Sequence, residues 1–276
     1  MLNTLRNNSK TEKDLLEQLK ECPVSEITGI VSISGVTAGR AGGENIWTLN
    51  TELDAWRING SSIKTTPLHI KKKVTDEELK SIQKVIKAET IVRIKARMIE
   101  KSLFGRPDAL LEGFVEEVSN DKELNEYLKE LQKTVTYVDP DFGSLVFDRM
   151  VKWYGGNIIW GEDRINLNLL LDDDENIASS LEVAKALWNN QLMWQKRVCD
   201  YAVEKLLGLK NESWLEEDEE EITAEEFKKR MKLEAITVRP NGEFEFWHDD
   251  GDLFWGHSIL ISGDLNHGLE DADIPG

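Results

Sequence analysis

The sequence predicts an α+β protein in two parts, one spanning residues 1–135 and the other residues 136–276, and three observations carry that prediction. Strand-like alternation and helix-like stripes follow one another through the first part in the order strands, helix, strand, strand. Pro140 and Gly143 then break a charged helical pattern. The charge balance changes at the same place. Of 34 Lys+Arg and 52 Asp+Glu, residues 1–135 hold 21 and 21, so residues 136–276 hold 34 − 21 = 13 against 52 − 21 = 31. The whole net charge of −18 lies in the second part.

In the first part, Leu15, Leu16 and Leu19 share a helical face that Pro23 terminates. Ile27 to Val36 alternates as a strand with Gly29 and Gly35 marking a bend or bulge, and residues 37–43 read as a loop. Ile46 to Ile58 reads as two further strand pieces closed by the turn Asn59-Gly60, and Leu68 to Val74 as another strand. Thr75-Asp76-Glu77-Glu78 is a capping box, with Leu79, Ile82, Val85 and Ile86 as the apolar stripe of a helix to about Ala88. Thr90 to Ile99 alternates Arg93, Lys95 and Arg97 against Val92, Ile94, Ala96 and Met98, a strand with basic groups facing water. A strand over Leu110 to Val118 and a charged helix over about 121–133 complete the part. A helix between the third and fourth of five strands is the element order of the oligonucleotide/oligosaccharide-binding (OB) barrel, so a small β-barrel-like, OB-like domain is expected. The basic strand lacks the interleaved aromatics on which bases stack and reads as a solvated face.

The second part is expected to hold an antiparallel sheet with helices. Strands are predicted over Gly143 to Phe147, Val151 to Trp160 around a Gly155-Gly156 turn, and Ile165 to Leu171. Two helical stripes follow, from Ile177 to Trp188 and from Trp194 to Leu207, with Gly208 as C-terminal cap. The acids Glu216 to Glu221 lead into a second capping box at Thr223. Leu233 to Val238, Phe244 to His248 and Leu253 to Ile261 read as a three-stranded meander, with Asp249 to Asp252 as its second turn.

Composition and motifs exclude several functions. The anionic second part repels phosphate backbones, which makes nucleic acid an improbable partner for it and a basic protein a favoured one. No run of about 20 apolar residues and no signal-peptide core occurs, and Cys22 and Cys199 form no CxxC pair, so a cytoplasmic protein with neither a membrane nor a disulfide is expected. Gly39-Arg40-Ala41-Gly42-Gly43 lacks the Lys and Ser/Thr of a phosphate-binding loop. The acidic runs Asp172–Asp174 and Asp249–Asp252 lack the spaced ligands of a calcium loop, and no cofactor or metal is expected.

Reactive side chains concentrate between Trp247 and Ser258, where two of the four histidines lie. With Asp249–Asp252 as a tight turn, His248 stands opposite Leu253, and His257 lies four positions further on, ~13 Å away, too far for one zinc ion. His257 then shares the parity of Trp255, Ile259 and Ile261 on a largely apolar face, and Ser258 points away from it. The catalytic candidates are His257, with Asp252 to orient its ring, and His248.

Several second-part blocks resemble a known family: Asp139-Pro140-Asp141-Phe142-Gly143, Trp153, Gly156, Asn211 and Trp214, Glu221 to Phe227, and above all Asp250-Gly251-Asp252-Leu253-Phe254-Trp255-Gly256-His257-Ser258-Ile259. They are similar to an uncharacterised bacterial family, domain of unknown function number 2262, over about residues 136–276. That resemblance implies no reaction and assigns no residue a role. The expected function is a non-enzymatic, acidic protein-binding module that masks a basic partner, as immunity proteins mask toxins. Trp214, Asp250, Asp252, Trp255 and His257 are its candidate binding residues, and a hydrolase-type enzyme using His257 and Asp252, with or without a metal, is the alternative.

Overall fold

The period of each segment decides its element, and the computed structural model realises most of them; it describes residues 2–40, 45–216 and 219–276, with side chains from residue 12 onward. The chain divides into two compact units, Met1–Lys133 and Thr134–Gly276.

In the first unit, helix α1 (Leu2–Glu21) buries Leu15 and Leu19. Strands β1 (Val24–Val31), β2 (Thr37–Gly39), β3 (Trp47–Ile58) and β4 (Leu68–Val74) precede helix α2 (Asp76–Val85); strands β5 (Ile91–Ile99) and β6 (Asp108–Glu117) and helix α3 (Lys122–Leu131) follow it. The box at Thr75 closes both ways: its hydroxyl accepts from Glu78 N at 3.2 Å, and its N–H donates to the Glu78 carboxylate at 2.9 Å. β1 pairs with both β3 and β5, β5 with β6, β6 with β4 in parallel, and β4 with β3, so five strands form a ring. Ile27, Leu53, Trp56, Ile70, Val92 and Ile94 are buried together in its core. Two expectations need correcting. Trp47–Ile58 is one continuous strand, and residues 37–39 pair with Thr48–Asn50 instead of forming a loop; the rest of that loop, Ala41 to Gly43, lies outside the described residues. The basic strand face is also largely neutralised, since Arg93 and Arg97 pair with Glu116 and Glu112 on the adjacent strand at 2.7 and 2.5 Å.

The second unit runs β7 (Thr136–Asp139), β8 (Gly143–Asp148), β9 (Trp153–Trp160), β10 (Asp163–Leu170), α4 (Ala178–Trp188), α5 (Gln191–Ser213), α6 (Ala224–Arg230), β11 (Lys232–Val238), β12 (Glu243–Asp249), β13 (Ile259–Asp264) and β14 (Gly268–Asp273). Its eight described strands make one sheet in the order β14-β13-β12-β11-β10-β9-β8-β7. The sheet is mixed and not purely antiparallel: β10 and β11 run parallel because the three helices carry the chain back across before β11 begins. Trp194, Val198, Ala202 and Leu206 of α5 are buried against the face that also bears Leu167, Ile236, Phe244 and Phe246. Trp194 meets Phe244 edge-on at 5.0 Å between centroids.

Other local expectations fail for identifiable reasons. Gly155-Gly156 is not a turn but lies inside β9; a Cβ on Gly156 would stand 2.8 Å from Ser144 O and 2.7 Å from Leu145 Cδ2, so the glycine permits the neighbouring strand to come close. Gly208 does not cap a helix, because α5 continues through it to Ser213. The box at Thr223 does form, and caps α6 with bonds of 3.3 and 2.8 Å. Thr223→Ala is therefore expected to cost about 1 kcal/mol, measured as a lower urea midpoint at unchanged m-value.

Candidate functional site

Nine residues, Asp250 to Ser258, connect β12 to β13, and one carboxylate organises most of them. Asp250 is 3% exposed. One of its oxygens accepts from Asp252 N at 3.2 Å, and the other from Phe254 N at 2.6 Å and Gly256 N at 3.2 Å. Backbone bonds from Leu253 N to Asp250 O and from His257 N to Phe254 O add two successive turns. Gly251, Asp252, Trp255 and Gly256 adopt left-handed backbone angles, with φ of 54°, 63°, 57° and 85°. Gly251 is required there: a Cβ would approach Arg230 O to 2.5 Å, while its own carbonyl accepts from Arg230 Nε at 2.8 Å. Trp255 in this region is unusual, since a bulky residue with positive φ costs about 1–3 kcal/mol.

That backbone sends successive side chains to different places. Leu253 and Phe254 are fully buried, and Phe254 packs edge-on against Trp214 at 5.5 Å. Trp255 is 58% exposed, and its ring centroid lies 4.7 Å from that of Trp214. His257 meets the same indole at 5.4 Å. Trp214 is the C-terminal cap residue of α5, and its carbonyl accepts from the fully buried Lys210 Nζ at 2.8 Å. Lys210 also pairs with Glu219, holding that carboxyl below the usual range, and Glu219 pairs with Arg230 at 3.3 Å. Asn211 closes the segment by donating to Ile222 O and accepting from Ile222 N, both at 3.0 Å. An unbroken set of polar contacts therefore runs from the end of α5 through Glu219 and Arg230 to Gly251.

Of the residues singled out from sequence, Trp214, Trp255 and His257 are in contact, Asp250 lies within the loop, and Asp252 is exposed on it. His248 sits elsewhere, 3% exposed in the row of Phe244 and Phe246 that faces the helices. Burial drives its imidazole from 6.5 down to about 4, against the opposing effect of hydrogen bonds with the backbone of Ile259 and Phe246. Leu253 to Ser258 is loop and not strand, and His248 stands opposite Ile259 and not Leu253. The parity assigned to His257 and the ~13 Å separation, both of which assumed a tight turn, therefore fall. Among the described residues no hydrogen bond joins Asp252 to His257, and His257 Nδ1 is buried with no partner. Phe254, Lys210 and Arg230 were not anticipated. Nothing local in the sequence marks Lys210 as buried.

Residues 139–274 match the family described as "Uncharacterized protein conserved in bacteria (DUF2262)". The matched residues lie within the second unit. The resemblance seen in its sequence blocks is borne out. Residues 12–131, for which the sequence suggested no relative, match the "Domain of unknown function (DUF7021)". No curated protein matches the chain. A solved structure, the wild-type single-stranded DNA binding protein from Thermus aquaticus, aligns at 9% identity over 52% of this chain and 72% of its own, with a TM-score of 0.23, a likeness that carries no functional argument. No described helix is long and apolar enough to cross a membrane.

Proposed function

We propose that the second unit is an acidic protein-binding module whose contact centre is the Trp214–Trp255 pair, docking a cationic segment of a basic partner. One observation carries the reading: an indole more than half exposed is held out by a backbone conformation that costs free energy, on a loop fixed from within by a buried carboxylate. Strain of that kind persists only where surrounding contacts over-determine it, and it clusters at functional sites. Tryptophan is enriched at the energetic centre of protein interfaces, and its ring face attracts Lys and Arg. Exposed Asp252, Glu216 and Glu220 lie close in sequence to the two rings, and the unit's surplus of carboxylates would speed the approach of a basic protein.

The ring of strands in the first unit supports an OB-type barrel, with a helix between β4 and β5 and a parallel β4–β6 pairing that completes the ring. Its paired arginines give no support to a phosphate-binding face there. Free thiols at Cys22 and Cys199 accord with a cytoplasmic location. Acid–base chemistry at His257 has less behind it, because among the described residues no hydrogen bond joins Asp252 to the ring and His257 Nδ1 has no partner.

The test is affinity capture from the native host with the wild-type chain, Trp255→Ala and Asp252→Lys, each at low and high salt. A basic protein retained by the wild type at low salt, weakened by salt and lost from both variants is the expected result. A partner held equally by Trp255→Ala, or one indifferent to ionic strength, refutes the reading.

A further inference from the structure

The helices cover one face of the eight-stranded sheet, and the other face carries a cleft of about 650 Å³ around Trp247. The strand register explains it. Trp247 stands opposite Ala235, and Ala235 stands opposite Asn166, so a methyl group and a short amide follow the indole across three strands and leave a trough beside it. The indole is oriented at its nitrogen, which donates to Glu245 at 3.1 Å, and Glu245 is itself held by Arg239 at 2.9 Å.

The polar groups around this trough have an unusual balance. Arg164 and Lys232 contribute only donors, Asp163, Glu234 and Asp249 only acceptors, and Asn166 both. The side chains of Asp163, Arg164, Asn166, Lys232 and Glu234 make no hydrogen bond or ion pair with one another or with other described residues. Two cations against three carboxylates build neither an anion hole nor a cation cage. Donors and acceptors interspersed at near-neutral charge fit a ligand whose own groups both donate and accept, namely adjacent hydroxyls. An indole in the lining suits the apolar C–H face of a pyranose ring, and the volume falls within the range of small-molecule sites.

We infer that this cleft is a binding site for a neutral saccharide of one or two rings, with Trp247 as the stacking platform and Arg164, Asn166, Lys232 and Glu234 as the hydroxyl partners. The site lies on residues separate from the Trp214–Trp255 pair and does not depend on the docking role proposed for that pair.

Saturation-transfer NMR and titration calorimetry of the full chain with maltose, cellobiose, lactose and N,N′-diacetylchitobiose test it. At least one of these is expected to bind saturably and with little salt dependence. Its affinity is expected to fall by about tenfold or more in Trp247→Ala. Asn166→Leu, which fills the trough from an exposed strand position, is expected to do the same while keeping the wild-type melting temperature, which separates loss of the site from loss of the fold. Failure of all four sugars to bind, or binding unaffected by both substitutions, overturns the inference. So does a salt-sensitive preference for a nucleoside monophosphate over the sugars, which would make the cleft an anion site.

Discussion

Asp250→Ala is expected to lower the stability of the second unit by about 3 kcal/mol and to release Trp255 from Trp214. Its carboxylate is the acceptor for three backbone N–H groups within six residues, two of them on the strained stretch that presents the indole. Hydrogen bonds to a charged group are worth about 1.5–3 kcal/mol each, and partial relaxation of the loop into water returns some of the loss. Phe254 N has less recourse to water, because its side chain is fully buried against Trp214 and Phe227. Urea unfolding of the wild type and of Asp250→Ala, followed by far-UV circular dichroism, measures the difference. Tryptophan emission shifted to the red before the main transition would report the loop opening first. A midpoint within error of the wild type would show that the loop is held by its aromatic contacts alone.

The second large effect is on pH dependence. His248 titrates near 6.5 when unfolded and at about 4 in the folded protein, where burial disfavours the imidazolium. Between those values the unfolded chain binds a proton that the folded chain does not, so stability falls as pH drops through the window. The group contributes no further change above about 6.5 or below about 4. A difference of that size corresponds to about 3 kcal/mol lost on acidification. His248→Phe, which retains a ring in the row of Phe244 and Phe246, is expected to flatten the profile between about pH 6.5 and about pH 4. Carboxylates held low by cations, such as Asp200 at about 2 through its bonds with Lys196 and Lys228, lose their contribution only at lower pH. An unchanged slope in His248→Phe would place the acid sensitivity elsewhere.

Features fixed by a few neighbouring residues were legible in the sequence. The boxes at Thr75 and Thr223 and the full extent of Leu68–Val74 form where their residues indicated, because capping and alternation are satisfied within one turn or one strand. The candidate site was legible as composition but not as geometry. Its aromatic and acidic members were identified, yet the tight turn assigned to Asp249–Asp252 is a nine-residue loop, because the Asp250 side chain satisfies backbone groups that a hairpin would have paired across the strands. β14 escaped notice because Gly-Leu-Glu-Asp-Ala-Asp has little apolar alternation and its pairing partner supplies the pattern. The parallel contact of β10 and β11 joins segments more than 60 residues apart in sequence, and no local periodicity encodes it.

The same run Gly268–Asp273 is the last strand of the sheet, so among the described residues one side of its backbone has no strand to bond to. A free edge of this kind is a template for another chain, and acidic side chains along it are a common safeguard against amyloid-like stacking. Glu270, Asp271 and Asp273 place three negative charges within four residues there. At neutral pH two such edges repel each other.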